Sequence, residues 1–227
     1  MKAMILAAGR GERMRPLTDH TPKPLLKVGG KALIVWHLER LAAAGFHDVV
    51  INHAHLGTQL EDALGDGSHF GLRITYSPEP PGALETAGGI AQALPQLGDA
   101  PFLVVNGDIF SDWDLAQAIE LSASLNNDFA HLVMVPNPPQ HPNGDFSLSD
   151  GRVSTNMDSR LTFSGTGIYQ PSLFANIKRG SRAKLAPLLI DAMTTDRVAG
   201  NLHSGRWFDV GTPQRLAALD AELLGIR

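Results

Sequence analysis

The sequence predicts an α/β fold whose central sheet is mixed, mostly parallel and flanked by helices. In the first 125 residues, short apolar runs of strand composition alternate with segments of helical periodicity, which is the pattern of βαβ units. Residues 102–105 are continuously apolar, as expected for a central strand that is covered on both faces. Beyond residue 125, short strand-like runs separated by Pro, Asn and Gly indicate mixed sheet.

The predicted elements follow in chain order. Residues 2–8 are predicted to form a buried strand, and residues 31–44 a helix that Gly45 can end in the left-handed conformation. The rest of the first half is predicted to hold strands at 48–53, 72–76 and 102–105 and helices at 58–64, 85–94 and 114–125. The second half is predicted to hold strands at 132–135, 146–148, 152–155, 161–169, 198–203 and 207–211, and a closing helix at 213–224.

Length and composition favour one compact domain over residues 1–227. The chain is 43% hydrophobic and 19% charged, which gives enough apolar material for a sizeable core. The Pro-rich stretch 136–142 is too short for a linker between domains and is predicted to be a loop. The absence of cysteine excludes disulfides, thiolate nucleophiles and Cys-ligated zinc. The apolar run at 3–8 is too short for a signal peptide or a membrane span, so we expect a cytoplasmic protein.

Basic charge is concentrated near the N-terminus. Residues 1–31 hold seven Lys and Arg against two acidic residues, whereas the whole chain has a formal net charge of −4. Duplex nucleic acid normally requires a wider basic face, and no aromatic-basic RNA motif accompanies this segment. We therefore expect a small polyphosphate ligand, and neither a nucleic acid nor a membrane as partner.

The first predicted strand is followed by a basic glycine-rich loop, Gly-Arg-Gly-Glu-Arg at residues 9–13. Its glycines allow backbone N–H groups to approach a phosphate, although the same pattern alone can be a tight turn. The loop lacks the third glycine of a dinucleotide fingerprint and the Gly-Lys-Ser/Thr of a P-loop. Downstream, Pro22 and Pro24 are predicted to hold Lys23 in a stiff extended segment, which suits a phosphate-binding lysine.

Together, residues 6–25 carry Leu-Ala-Ala-Gly, the basic loop, Arg-Pro-Leu-Thr and Pro-Lys-Pro. In this combination they resemble the signature of the sugar-1-phosphate nucleotidylyltransferase family. The resemblance implies a Rossmann-like, glycosyltransferase-A-like fold and Mg²⁺-dependent transfer of a nucleotidyl group from an NTP to a sugar 1-phosphate. Glu12 stands where the family usually has Thr, so we expect its backbone N–H to serve. The implied nucleotide contacts in this segment are Ala8, Gly9, Gly11, Glu12, Arg13 and Lys23.

Two distant aspartates complete the implied site. Asp108 follows the apolar strand with Asn106 beside it, and Asp209 lies in Trp-Phe-Asp-Val-Gly-Thr. The family holds its metal with an acid at each position, and Mg²⁺ prefers such oxygen ligands. Asn106 is an implied nucleotide contact, and Asp108 is expected to act in catalysis together with Arg13 and Lys23. The sugar 1-phosphate is already an ionised nucleophile, so no general base is required.

Residues 79–88 resemble the family segment that reads the base, with Glu79 and Gly82 as candidate contacts. A carboxylate can accept hydrogen bonds from uracil or from guanine, so this chemistry leaves the base open. Gly165 stands where the family often has Asn, which is expected to leave room for a large sugar. Other polar candidates for sugar contacts are Asn143, Gly144, Asp145 and Asp158.

The resemblance also divides the expected domain into a nucleotide-binding half, residues 1–125, and a sugar-binding half, residues 126–227. Over nearly the whole chain, the resemblance is strongest to the uridylyltransferases of peptidoglycan sugar recycling, which implies UTP and a muramic sugar 1-phosphate as substrates. Two alternatives remain. One is a mannose- or heptose-1-phosphate guanylyltransferase, and the other is a sugar-nucleotide-binding regulator without catalytic activity.

Overall fold

The computed structural model describes residues 1–80 and 82–225. Residue 81, inside the segment expected to read the base, and residues 226–227 of the expected single domain lie outside the described residues. The strands are β1 Ala3–Leu6, β2 Lys27–Val28, β3 Lys31–Ala32, β4 Asp48–His53, β5 Arg73–Pro78, β6 Phe102–Asn106, β7 Ile109–Ser111, β8 Ala130–Val135, β9 Phe146–Ser149, β10 Arg152–Ser154, β11 Arg160–Tyr169, β12 Val198–Leu202 and β13 Trp207–Asp209. The helices are α1 Leu33–Ala43, α2 Gly57–Leu64, α3 Glu85–Leu97, α4 Gln117–Ala123, α5 Leu185–Thr194 and α6 Pro213–Leu223.

Within the described residues, nine strands form one sheet in the order β5-β4-β1-β6-β11-β8-β12-β10-β9. The pairs β5–β4, β4–β1 and β1–β6 are parallel, as βαβ units require. Strand β11 then runs antiparallel to β6 and β8, and β10 runs antiparallel to β12 and β9. Because β10 and β11 oppose the direction of the remaining strands, the sheet is mixed and mostly parallel, as predicted.

Strands β1, β4 and β6 are buried on both faces, which explains their continuous apolar sequences, whereas β5 at the sheet edge alternates between buried and exposed residues. In β6, Leu103 and Val105 pack into one core with α1 and α2, whereas Phe102 and Val104 pack into a second core with α3 and α5. The side chains of a strand alternate between the two faces of its sheet, so each apolar run contributes to both cores. This arrangement fixes the strands from both sides and holds their carboxyl ends in place.

Two helices that contain a proline differ from the sequence predictions. Helix α5, which carries Pro187, was not predicted. Pro187 lies in the first turn, however, where the backbone N–H has no partner within the helix and its loss costs little. Helix α3 was predicted to end at Leu94 but continues past Pro95 to Leu97, whose side chain is buried in the second core.

Several element ends also differ from the predictions. Strand β1 ends at Leu6 and β13 ends at Asp209, so the residues that follow each strand are free to form turns. Helix α4 covers Gln117–Ala123 and is shorter than predicted. Across the described part of the chain, no helix combines the length and apolar character needed to cross a lipid bilayer.

Candidate active site

The N-terminal loop folds into a tight turn directly after β1. Gly11 has a φ of 69° and precedes a 3-10 turn over Glu12–Met14, whose Met14 side chain is buried. The Gly11 carbonyl accepts hydrogen bonds from Met14 N and Thr18 Oγ1, each at 2.8 Å. A Cβ on Gly11 would lie 2.9 Å from Thr18 Cγ2, so both the backbone conformation and the packing require glycine here.

Lys23 is buried, with 8% of its surface exposed, and its Nζ lies 2.6 Å from Asp108 Oδ2. The sequence predicted a stiff extended segment around it, and this is wrong for Lys23 itself. Pro22 is extended, but Lys23–Leu25 is a 3-10 turn closed by a hydrogen bond from Leu25 N to Pro22 O at 2.9 Å. A buried lysine needs a charged partner, and Asp108 supplies it.

A short two-stranded sheet brings the two aspartates together. Strand β7 follows Asp108, and it pairs antiparallel with β13 so that Asp209 stands opposite Ile109. Val210 N also donates to Asp108 O at 2.9 Å. Residues that are 101 positions apart in the chain therefore lie side by side at the carboxyl end of β6.

Asp209 has its own cationic partner, Arg215 in the first turn of α6. Arg215 Nη1 donates to Asp209 Oδ2 at 2.7 Å, and Arg215 N donates to the capping Thr212 Oγ1 at 3.3 Å. A Cβ on Gly211 would lie 2.9 Å from Asp209 Oδ1 and 3.2 Å from Arg13 Nη2, so glycine allows these side chains to converge. Sequence analysis missed Arg215, whose only signal is its position six residues after the aspartate.

These residues surround a small cavity of about 170 Å³, here called the loop cavity. It is lined by Gly11, Glu12, Arg13, Lys23, Asp108 and Gly211 among others. Arg13 is exposed, as is Glu12, which forms ion pairs with Arg10 at 3.0 Å and Arg15 at 3.6 Å. Because these arginines offset the charge of Glu12, the loop remains suited to an anionic ligand.

The aspartate pair fits a hard divalent cation. Among the described residues, no cluster of three or more His, Cys, Asp or Glu could hold a metal ion without further ligands. Asp108 and Asp209 supply two carboxylates, so water and substrate oxygens would have to complete the coordination of a cation bound between them. This composition suits Mg²⁺ carried by a polyphosphate better than a permanently bound transition metal.

A wide cavity of about 640 Å³ opens on the other side of the N-terminal loop. Ala8, Glu12, Glu79 and Gly82 line it, and Gly9 lines an adjoining cavity of about 140 Å³ that also contacts Ala8 and Glu79. The structure therefore brings together the residues predicted to contact the base and ribose. Asn106 instead lies across the loop, in the cavity described below.

A buried polar network supports this wide cavity. Asn52, at the end of β4, accepts a hydrogen bond from Ala7 N at 2.8 Å and donates to Glu79 Oε1 at 2.6 Å. Glu79 Oε2 accepts from Leu84 N at 2.7 Å. Both oxygens of Glu79 are thus already engaged in holding the loop before α3. Asn52 was missed, although a polar residue that ends an apolar strand is a recognisable signal.

A third cavity, of about 310 Å³, is here called the Trp207 cavity. It connects the aspartates with the second half of the chain. Asp145 reaches it, with Oδ2 accepting from Phe163 N at 2.8 Å and Oδ1 lying 3.1 Å from His141 Nε2. Other residues in its lining are Arg13, Asn106, Asp108, Gln140, Thr162, Ser164, Trp207 and Asp209.

The expectation of open space at Gly165 is wrong. Gly165 is buried at an irregularity of β11, with a φ of 81°. A Cβ there would lie 2.5 Å from Asn106 Nδ2 and 3.0 Å from Asn106 Cβ. The position lacks a side chain because Asn106 fills the space and because the backbone is left-handed, so it offers no room for a ligand.

Three other sugar candidates also lie outside the Trp207 cavity. Asn143 and Asp158 are exposed, and the Asp158 carbonyl accepts a hydrogen bond from Ser147 Oγ at 2.5 Å. Gly144 is a turn residue with a φ of 59°, where a Cβ would meet Asn137 Oδ1 at 2.7 Å. Sequence reasoning could not separate these loop residues from Asp145, because tertiary folding decides which of them turns inward.

His37, in α1, lies behind β7. Its pKa is lowered to about 4, mainly because burial penalises the charged imidazolium and secondly because Arg40 is nearby. A hydrogen bond with the Ile109 backbone opposes this shift but does not cancel it. A neutral histidine therefore supports the strand that follows Asp108 at physiological pH.

With this geometry described, comparison with known proteins identifies the family. The sequence profile described as "Nucleotidyl transferase" matches residues 2–224. The chain belongs to this family. Its members generally use a divalent metal, in agreement with the paired carboxylates at the centre of the site.

Individual relatives agree with this assignment. The chain is 61% identical to N-acetylmuramate alpha-1-phosphate uridylyltransferase of Neisseria meningitidis, over 97% of each chain. It is 29% identical to mannose-1-phosphate guanylyltransferase of Mycobacterium tuberculosis, over 98% of this chain but 64% of that protein. A solved Bacillus anthracis structure described as a glucose-1-phosphate thymidylyltransferase has a TM-score of 0.87 at 23% identity and covers 100% of this chain and 96% of its own, which confirms the fold.

Proposed function

We propose that the protein transfers the uridylyl group of UTP to N-acetylmuramic acid 1-phosphate, giving UDP-N-acetylmuramic acid and pyrophosphate in peptidoglycan recycling. The observation that carries the proposal is the 61% identity, over 97% of both chains, to a relative named for this activity. The arrangement of two carboxylates, a buried lysine and a basic loop around connected cavities supports it. A cytoplasmic location is part of the proposal.

In this proposal each of the three cavities binds a different part of the two substrates. The wide cavity takes uracil and ribose, with Ala8, Gly9, Glu79 and Gly82 as contacts. The loop cavity takes the triphosphate against Gly11, Glu12, Arg13 and Lys23. The Trp207 cavity takes the sugar, with Asp145 as a contact and Asn106 between sugar and nucleotide. The two halves of the single domain thus meet at the aspartates.

The proposed reaction needs positioning and charge stabilisation. An ionised oxygen of the sugar 1-phosphate attacks the α-phosphorus of UTP, and the bond from that phosphorus to the bridging oxygen of the β-phosphate breaks. Arg13 and Lys23 offset the negative charge that develops on the α-phosphate and on the departing pyrophosphate. No protein base takes a proton, because the attacking oxygen is already ionised.

Asp108 and Asp209 are the proposed Mg²⁺ ligands. When bound, Mg²⁺ would neutralise phosphate charge and favour departure of pyrophosphate. Asp108, which is paired with Lys23 in this structure, would hold the metal through its carboxylate, and Lys23 Nζ would then be available to the phosphates. Arg215 keeps Asp209 oriented throughout.

A pyrophosphate-release assay tests the proposal. It crosses UTP, GTP, ATP and CTP with the 1-phosphates of N-acetylmuramic acid, N-acetylglucosamine, mannose and a heptose. We expect the highest kcat/KM for UTP with N-acetylmuramic acid 1-phosphate. Preference for GTP with mannose 1-phosphate would instead support a guanylyltransferase, the function named for the 29% identical relative.

The same assay separates an enzyme from a regulator that only binds. Binding of UTP without pyrophosphate release, under any combination of substrates and Mg²⁺, would support the regulator. The site favours catalytic activity over binding alone, because Arg13, Lys23 and both aspartates line two adjacent cavities.

A further inference from the structure

A further cavity of about 280 Å³, here called the α6 cavity, lies beside the Trp207 cavity. It is formed by the loop after β8, by β13 and by one face of α6. Four residues line both cavities, so the two spaces adjoin around the indole of Trp207 and beneath the Pro-rich loop. The shared residues are Pro138, Gln140, Trp207 and Asp209.

The lining of the α6 cavity combines apolar walls with the ion pair of Arg215 and Asp209. Pro139, Phe208 and Ala218 contribute apolar surface, and Arg215 lines the same space. Arg215 uses Nη1 to bind Asp209 at 2.7 Å. A guanidinium has five N–H donors, so this bond leaves donors for a second carboxylate. A small branched group that carries a methyl and a carboxylate matches this lining.

We propose that the α6 cavity binds the O-lactyl ether of N-acetylmuramic acid 1-phosphate. This proposal rests on the proposed function. The lactyl methyl packs against Pro139 and Ala218, and its carboxylate is directed to Arg215. This ether distinguishes the muramic sugar from N-acetylglucosamine, and its negative charge requires a cationic partner once water is removed.

The charge distribution favours this placement over the Trp207 cavity itself. The lining of the Trp207 cavity includes the carboxylates of Asp108, Asp145 and Asp209 beside Arg13, and this excess of negative charge would repel a lactyl carboxylate. Asp209 also lines the α6 cavity, but there its carboxylate is paired with Arg215. The space at Gly165 is filled by Asn106. The α6 cavity adjoins the sugar position and offers a guanidinium, so it meets both requirements.

The test is to fill the α6 cavity from its exposed side with Ala218→Leu. Ala218 is exposed on α6, where leucine is a good helix former, so the substitution leaves the core unchanged. The matched control is Ala217→Leu, because Ala217 is also exposed on α6 but does not line the cavity. Arg215 is unsuitable as the probe, since its loss would also disturb Asp209.

We expect Ala218→Leu to lower kcat/KM for N-acetylmuramic acid 1-phosphate by about tenfold or more, as steric exclusion of a small group does. Turnover of N-acetylglucosamine 1-phosphate and the KM for UTP should remain close to wild type, as should all values for Ala217→Leu. A calorimetric comparison gives a second measurement, in which Ala218→Leu weakens binding of UDP-N-acetylmuramic acid but not of UDP.

Equal losses for both sugars, or equal effects of the two leucine variants, would overturn the assignment of the cavity. The same holds if Ala218→Leu leaves both muramic ligands unaffected. Failure of the proposed function has a different signature, because the wild-type protein would then release no pyrophosphate from UTP and N-acetylmuramic acid 1-phosphate.

Discussion

The Lys23–Asp108 ion pair joins a proposed phosphate ligand to a proposed metal ligand. Lys23 is almost fully buried, whereas 38% of the Asp108 side chain is exposed to the cavities. In the absence of substrate, each charge therefore stabilises the other, and the carboxylate remains accessible. If a metal-bound triphosphate binds as proposed, Asp108 would hold the metal and Lys23 would contact phosphate, so neither charge would be left unpaired.

Asp108→Asn tests this role of the carboxylate. We expect kcat at saturating Mg²⁺ to fall by about two to three orders of magnitude, as when one stabilising group is removed from a transition state. Binding of UTP without Mg²⁺ should persist. The matched control is Asp48→Asn, which breaks the exposed ion pair with Arg73 on the sheet edge. Full Mg²⁺-dependent activity of Asp108→Asn would exclude it as a metal ligand.

The Arg215–Asp209 pair is expected to contribute to stability as well as to orientation. Both side chains are about three-quarters buried, so their hydrogen-bonded ion pair is less screened than a surface pair. A double-mutant cycle with Arg215→Gln and Asp209→Asn, read by urea unfolding, should give a coupling free energy of about 1–2 kcal/mol. The Arg73–Asp48 cycle should give under about 1 kcal/mol, because Arg73 is exposed. Indistinguishable values would mean that Asp209 is held by other contacts.

At the scale of elements, two short strands have the largest effect on the site. Strands β7 and β13 have three residues each, yet their ladder aligns Asp209 with the residue after Asp108. The irregularity of β11 around Gly165 then makes space for Asn106 at the end of β6. Short elements of this kind carry little sequence signal, although they decide which side chains meet.

Gly165→Ala tests the structural reading of the β11 irregularity. We expect a loss of about 2–4 kcal/mol in the free energy of unfolding, from a left-handed backbone together with the clash with Asn106. Gly180→Ala is the matched control, since Gly180 has a φ of 78° but nothing within 4 Å of its Cβ position. Its loss should be near 1 kcal/mol, about the backbone cost alone. If the two variants lose equal stability, then Asn106 moves aside without cost.

At the scale of the whole molecule, the sequence predicted the features that leave a local pattern, which are the apolar strands, the periodic helices and the N-terminal motif. Burial on both faces leaves continuous apolar runs, which predicted β1, β4 and β6, and the alternating sequence of β5 predicted a strand at the sheet edge. Together with the helical periodicity between them, these strands predicted the α/β class. The motif from Leu6 to Leu25 predicted the loop, Lys23 and, through the resemblance, both aspartates. The ion pair of Arg215, the network through Asn52 and the inward position of Asp145 depend on chain segments that meet only after folding.

The stability of the whole fold should depend on pH through His37. Its pKa in the folded protein is about 4, below the ordinary value of 6.5, because burial disfavours the imidazolium. Between these pH values the unfolded chain binds a proton that the folded chain does not, so stability rises with pH. This stability is fully present above about pH 6.5 and decreases as pH falls toward 4, and the total loss amounts to roughly 3 kcal/mol.

Urea unfolding of the wild type and of His37→Gln between pH 4 and pH 7.5 measures this contribution. Because other groups titrate equally in both proteins, the difference in their unfolding free energies isolates His37, and it should change most between pH 4 and 6.5. His20→Gln is the matched control, because it removes an exposed histidine in place of a buried one. A constant difference between wild type and His37→Gln over this range would show that His37 titrates normally in the folded protein. The expected change would show that protonation of His37 lowers the free energy of unfolding at acid pH. His37 supports β7, so its neutral form would also help to hold Asp108 in position.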